Sequence, residues 1–212
     1  MSKHNLPEVR IINAWLLREA ASVHIHRLLA KEGEEMVNHD EIDEIIKNYR
    51  KAWDPLEKKI LNGMCDIIDL EFYQNTLDVY VAPWFYAFSE PLIMGVEMSS
   101  EEFVRNLTHE IIHRLLTDNK SIRKDADLRV EWAKMFGKNH SPDTLVHIPV
   151  HAVHKAIALD VLNDPSIIER DYKMNLDHEG KVGDYVKSWG YVNSHDYKEI
   201  IEKLKTAYET KK

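Results

Sequence analysis

The sequence is short of several things, and each shortage removes a class of function. It has one cysteine, Cys65, so no intramolecular disulfide can form, and the apolar residues around that position point to a buried thiol. No stretch of about eighteen apolar residues occurs, so no transmembrane span is expected. No apolar run follows a basic start, so no signal peptide is expected either. Positive charge is not in surplus: the net charge of −8 argues against a nucleic acid or an anionic membrane as partner. There is no Gly-rich phosphate loop, no C-x-x-C pair and no internal repeat. What remains is an ordinary soluble composition, 44% hydrophobic and 30% charged over 212 residues. That length suits a single domain. The expectation is a cytoplasmic enzyme, a monomer or small homo-oligomer.

The most informative stretch that is present runs Leu107-Thr108-His109-Glu110-Ile111-Ile112-His113. It contains H-E-x-x-H, and a four-residue spacing on a helix puts both imidazoles on one face, where they can share a metal ion. Ser99 followed by Glu102 reads as a capping box, and the spacing predicts a helix from about Ser100 to about Thr117. Phe103, Val104, Leu107, Ile111, Ile112, Leu115 and Leu116 fill a wide apolar arc of that helix, so it should be largely buried, with the histidine face lining a cleft.

Around this helix the chain reads as follows. Leu6 to about Lys31 has apolar residues at helical spacing; His24 and His26, two apart, face different ways and are ordinary polar residues. A second helix opens at Asp40 or Glu41. Asp54-Pro55 reads as a cap followed by a restart, giving a third helix to about Phe72. Residues 1–75 are thus an N-terminal helical layer. Thr76–Pro83 and Pro91–Val96 read as short strands, with Trp84, Phe85, Tyr86 and Phe88 between them expected as core aromatics. Residues 76–163 form the metal-binding core. It includes a possible helix from Ile122 to Phe136 and the stretch Asp143–Leu162. On the latter, His147, His151 and His154 fall on one apolar helical face, and Pro149 marks a kink or a start. Buried imidazoles need hydrogen-bond or metal partners, so at least one of the three is expected to be a ligand. Residues 164–212 read as C-terminal helices, with His178 and His195 facing solvent.

His109-Glu110-Ile111-Ile112-His113, together with the strands before it, resembles the active-site helix of the zincin metallopeptidases; the match covers about a quarter of the chain. The resemblance implies a helix-rich α+β fold, with the motif helix packed on a small β-sheet. It implies Zn2+ held by His109 and His113, with Glu110 as general base and later proton donor. With three protein ligands, a position stays open for water, whose pKa falls towards about 7. It also implies a peptide or protein substrate bound along a sheet edge, which Pro91–Val96 or Leu77–Val81 would supply.

The third ligand departs from the family patterns. Glu131 stands where gluzincins place a Glu, without the matching Asp behind it. Leu116 and Asn119 replace the Gly and His of metzincins. The expected third ligand is His151, the middle of the trio, with His147 or His154 orienting a ligand or stabilising an oxyanion. The alternative is a closed site built from His109, His113, His147 and His151, in a metal-dependent structural or regulatory module without hydrolysis.

Overall fold

The computed structural model describes residues 4–17, 19, 39–83, 85–121, 128–180 and 182–209. The chain is α+β and helix-rich, with four short strands in one mixed sheet. The strands are β1 (Glu8–Asn13), β2 (Thr76–Ala82), β3 (Phe88–Ser89) and β4 (Leu92–Gly95). The helices are α1 (His39–Ile68), α2 (Ser100–Thr117), α3 (Leu128–Phe136), α4 (Pro142–Ala156), α5 (Ser166–Glu179), α6 (Asp184–Ser194) and α7 (Tyr197–Glu209). A π-helical turn, Ile157–Leu162, extends α4. The contacts divide into two compact units, one of Met1–Leu6, Lys58–Tyr73 and Ile111–Lys212, the other of Pro7–Glu57 and Gln74–Glu110. Helices α1 and α2 each run unbroken through a boundary.

The second unit holds the sheet, in the order β1-β2-β4-β3. β1 and β4 flank β2 in parallel, and β3 closes the other edge antiparallel to β4. Both strands expected to offer a free edge, β2 and β4, therefore lie inside the sheet, and the edges are β1 and β3. β1 also corrects the helix expected from Leu6. Val9, Ile11 and Ile12 satisfy a helical period and a strand period alike, and pairing with Thr76–Val81 decides for the strand. Val9 and Ile11 turn inward, while Arg10 reaches Asp78 on β2 at 2.6 Å. Beyond the strand, residues 15–17 and 19 are helical, and the rest of that expected helix, with His24 and His26, lies outside the described residues.

α1 is continuous where a restart was expected at Asp54-Pro55. Proline removes one intrahelical bond, and here it does so at an exposed turn where water can solvate the freed Lys51 carbonyl. Tyr49 of α1 stacks on Phe103 of α2, ring centroids 4.0 Å apart, and its hydroxyl lies within reach of the Gly95 and Met98 carbonyls. Gly95 is required at its place, since a Cβ there would meet the Phe85 carbonyl oxygen at 2.3 Å. Tyr86 and Phe88 are 77% and 51% exposed, so they are not the core aromatics expected; Trp84 lies outside the described residues. The capping box is formed: Ser99 N donates to Glu102 Oε2 at 2.8 Å and Glu102 N donates to Ser99 Oγ at 3.2 Å.

The first unit is built on α4. Ser141 caps it, Pro142 takes its first turn, and it continues through Pro149 without restarting. Asn163, in the left-handed region at φ 57°, ends the π-turn. Pro142–Leu162 is long and apolar enough to cross a bilayer by length and composition, but 67% of its most apolar window is buried inside the protein. α6 and α7 pack along it. Tyr208 of α7 donates to the Leu116 carbonyl at 2.6 Å, satisfying one of the carbonyls that the end of α2 leaves without an intrahelical partner.

Gly63 of α1 shows how tightly this unit is packed, because a Cβ there would meet Val161 Cγ2 at 2.7 Å and Ile157 Cδ1 at 3.2 Å. Gly63→Ala should gain about 1 kcal/mol of helix propensity and lose about 1–3 kcal/mol to overpacking, a net loss of about 1 kcal/mol in urea unfolding. Val161→Ala should cost less in the Gly63→Ala background than in the wild type. Additive losses would show that Val161 does not set the limit.

Candidate metal centre

His109, Glu110 and His113 are all buried, at 6%, 6% and 8% exposure, although three such polar side chains on one helix would ordinarily seek water. The placement of His109 against His113 is set by the unbroken helix α2. His113 and His147 belong to the first unit, where their rings meet edge to face at 5.0 Å. One ring nitrogen from each of His109, His113 and His147 lies within 4.8 Å of the others. These three are close enough to hold a metal ion.

His147 is oriented by its own helix. Its Nδ1 lies 2.7 Å from the Asp143 carbonyl. A carbonyl can only accept, so Nδ1 carries the proton, and the lone pair of the neutral ring sits on Nε2. The Tyr185 ring packs against it at 3.9 Å.

His151 is not one of the three, which corrects the expected ligand. It sits one turn further along α4, about 6 Å along the axis, and is fully buried. Its Nδ1 is 2.8 Å from Ser188 Oγ, and its ring stacks on Trp189 at 4.3 Å. Ser188 Oγ also donates to the Tyr185 carbonyl at 2.8 Å, so its single proton is spent there and it accepts from His151. Trp189 in turn donates to the buried Asp171 carboxylate at 2.7 Å. His154 is buried beside Trp189, ring centroids 6.3 Å apart. Glu131 lies on α3, where Lys134 pairs with it at 3.0 Å, and is not part of the cluster. Tyr185, Ser188 and Trp189 escaped sequence reasoning. Their signal was the 185, 188, 189, 192 stripe of α6, which marks a buried helix face but names no partner.

The electrostatics suit a cation. Burial pushes His113 down to about 3, helped by the neighbouring His147, and pushes His147 and His151 down as well. All three rings are therefore neutral at physiological pH, the state in which imidazole binds a metal. Burial alone pushes the Glu110 carboxyl up to about 8. Among the described residues, its carboxylate makes no hydrogen bond and no ion pair. A buried carboxyl in that position either keeps its proton or requires a positive charge beside it. No protein-family model, curated protein or solved structure matches the chain.

Glu110 gives the metal-free protein a defined pH dependence. Its folded-state value is raised, so the stability it contributes is complete below about pH 4.5 and is lost as pH rises through about 8. Glu110→Gln has no such loss. The stability advantage of the variant over the wild type should grow from about pH 5 to about pH 8 in urea unfolding without metal. A difference that stays flat over that interval would mean the carboxyl is ionised in the folded protein without a cation.

Proposed function

We propose that the chain is a zinc-dependent hydrolase that cleaves peptide bonds in peptide or protein substrates, with His109, His113 and His147 as the metal ligands. The observation that carries the reading is Glu110: a buried carboxyl with no partner among the described residues, adjacent in sequence to one of three clustered imidazoles. Three nitrogen donors suit zinc and leave one of its four tetrahedral positions for chemistry. His151, which would close the site as a fourth imidazole, is not one of the three clustered rings. Zinc held there would supply a Lewis acid that polarises a carbonyl and lowers the pKa of water to about 7. The bond class rests on the resemblance of the motif helix to that of the zincin metallopeptidases.

The chain's own residues have separate tasks in this reading. The three histidines bind and orient. Glu110 acts as a base only when ionised, and a dication beside it would favour that form over the protonated form that burial imposes. It can then take a proton at its carboxylate and return it to a leaving amine.

Zinc content and casein or peptide turnover test this together. The wild type should hold one zinc per chain and hydrolyse peptide. Glu110→Gln should keep the zinc and lose activity by about two to four orders of magnitude. His147→Ala should lose zinc, and His151→Ala should keep it. Zinc without turnover, unchanged in Glu110→Gln, would instead favour a closed structural site.

A further inference from the structure

We propose that Asp184 is a positioning residue for this centre: its carboxylate latches the first turn of α4 and thereby holds His147 in the tautomer that presents Nε2 to the metal. The inference rests on reading His147 as a ligand. Asp184 opens α6, and both hydrogen bonds that its carboxylate accepts from the start of α4 end on one oxygen, while Thr144 Oγ1 also lies 3.4 Å from the Asp184 carbonyl oxygen. Ser141 Oγ donates to Asp184 Oδ1 at 2.5 Å, and Thr144 Oγ1 donates to the same atom at 2.8 Å. Ser141 Oγ simultaneously accepts the Thr144 backbone N–H at 3.1 Å, the cap of α4.

Asp143 lies between these two latched residues. Its carbonyl is the acceptor that fixes the Nδ1 proton of His147, at 2.7 Å. A first helical turn frays readily, because four of its N–H groups have no intrahelical partner. If this turn frays, the Asp143 carbonyl moves and the imidazole can exchange its proton to Nε2, the atom a metal needs bare. The two hydroxyl donors also hold the Asp184 carboxyl below its ordinary value, so it is charged when it accepts them. The next residue, Tyr185, lays its ring against His147 at 3.9 Å. Consecutive residues of α6 thus secure the backbone that holds the imidazole and back the ring itself.

The test compares Asp184→Ala with Asp184→Asn in the full metal-free chain, reading His147 by long-range proton–nitrogen NMR. Asparagine keeps an oxygen that can accept both hydroxyls, and alanine does not. The wild type and Asp184→Asn should show a single Nδ1–H tautomer. Asp184→Ala should show a mixture of tautomers, and its zinc affinity should fall about ten- to a hundredfold. Asp184→Asn should stay within a few-fold of the wild type. A pure Nδ1–H tautomer in Asp184→Ala, or an asparagine variant as impaired as the alanine variant, would overturn the proposal. Should Asp184→Ala lose its helical circular dichroism, Ser141→Ala removes one of the two donors and carries the same expectation. A wild type that takes up no zinc would sink the metal reading alone, and the tautomer comparison would still decide the latch.

Discussion

Taking imidazoles and a carboxyl out of water costs free energy, and the buried histidine cluster depends on how that cost is met. An unpaired polar group in an apolar interior costs on the order of 1–3 kcal/mol. Five buried histidines and Glu110 concentrate that cost on α2 and α4. Part of it is met within the protein, by the Asp143 carbonyl for His147 and by Ser188 and the Trp189 ring for His151. Glu110 has no such provision among the described residues. A cation at the three clustered imidazoles would meet the remaining cost and put the carboxyl to use.

The polar groups along α4 and α6 form a series that runs inward from the half-buried start of α4. Asp184 and Ser141 act at the start of α4, His147 and Tyr185 follow, then His151 with Ser188, and finally Trp189 with Asp171. Each contact is a hydrogen bond or a ring contact of ordinary length, and nearly all of its members belong to these two helices. Among the described helices α4 is the most apolar, and it carries three histidines. The apolar residues drive its burial, and α6 satisfies the polar groups that go with it.

Much of the motif helix was legible in the sequence. The Ser99/Glu102 box, the apolar arc of α2 and the burial of His109, Glu110 and His113 all follow from spacing. The strands Thr76–Ala82 and Leu92–Gly95 were readable as short apolar-rich runs between breakers. The places that were not legible share a cause, which is that the deciding contact lies far away in sequence. β1 reads equally well as a helix until Thr76–Val81 pairs with it. Pro55 reads as a boundary until the exposure of its turn is known. Helical spacing put His147, His151 and His154 on one face but could not say which turn of α4 lies level with His113. Where α4 is anchored decides that, and its anchor includes Asp184, some forty residues further on.

X-ray absorption at the zinc edge of the loaded protein reads directly which atoms surround the ion. The expected shell is three imidazole nitrogens and one oxygen donor at about 2.0–2.1 Å. Four imidazole nitrogens, or a shell without imidazole, would contradict it.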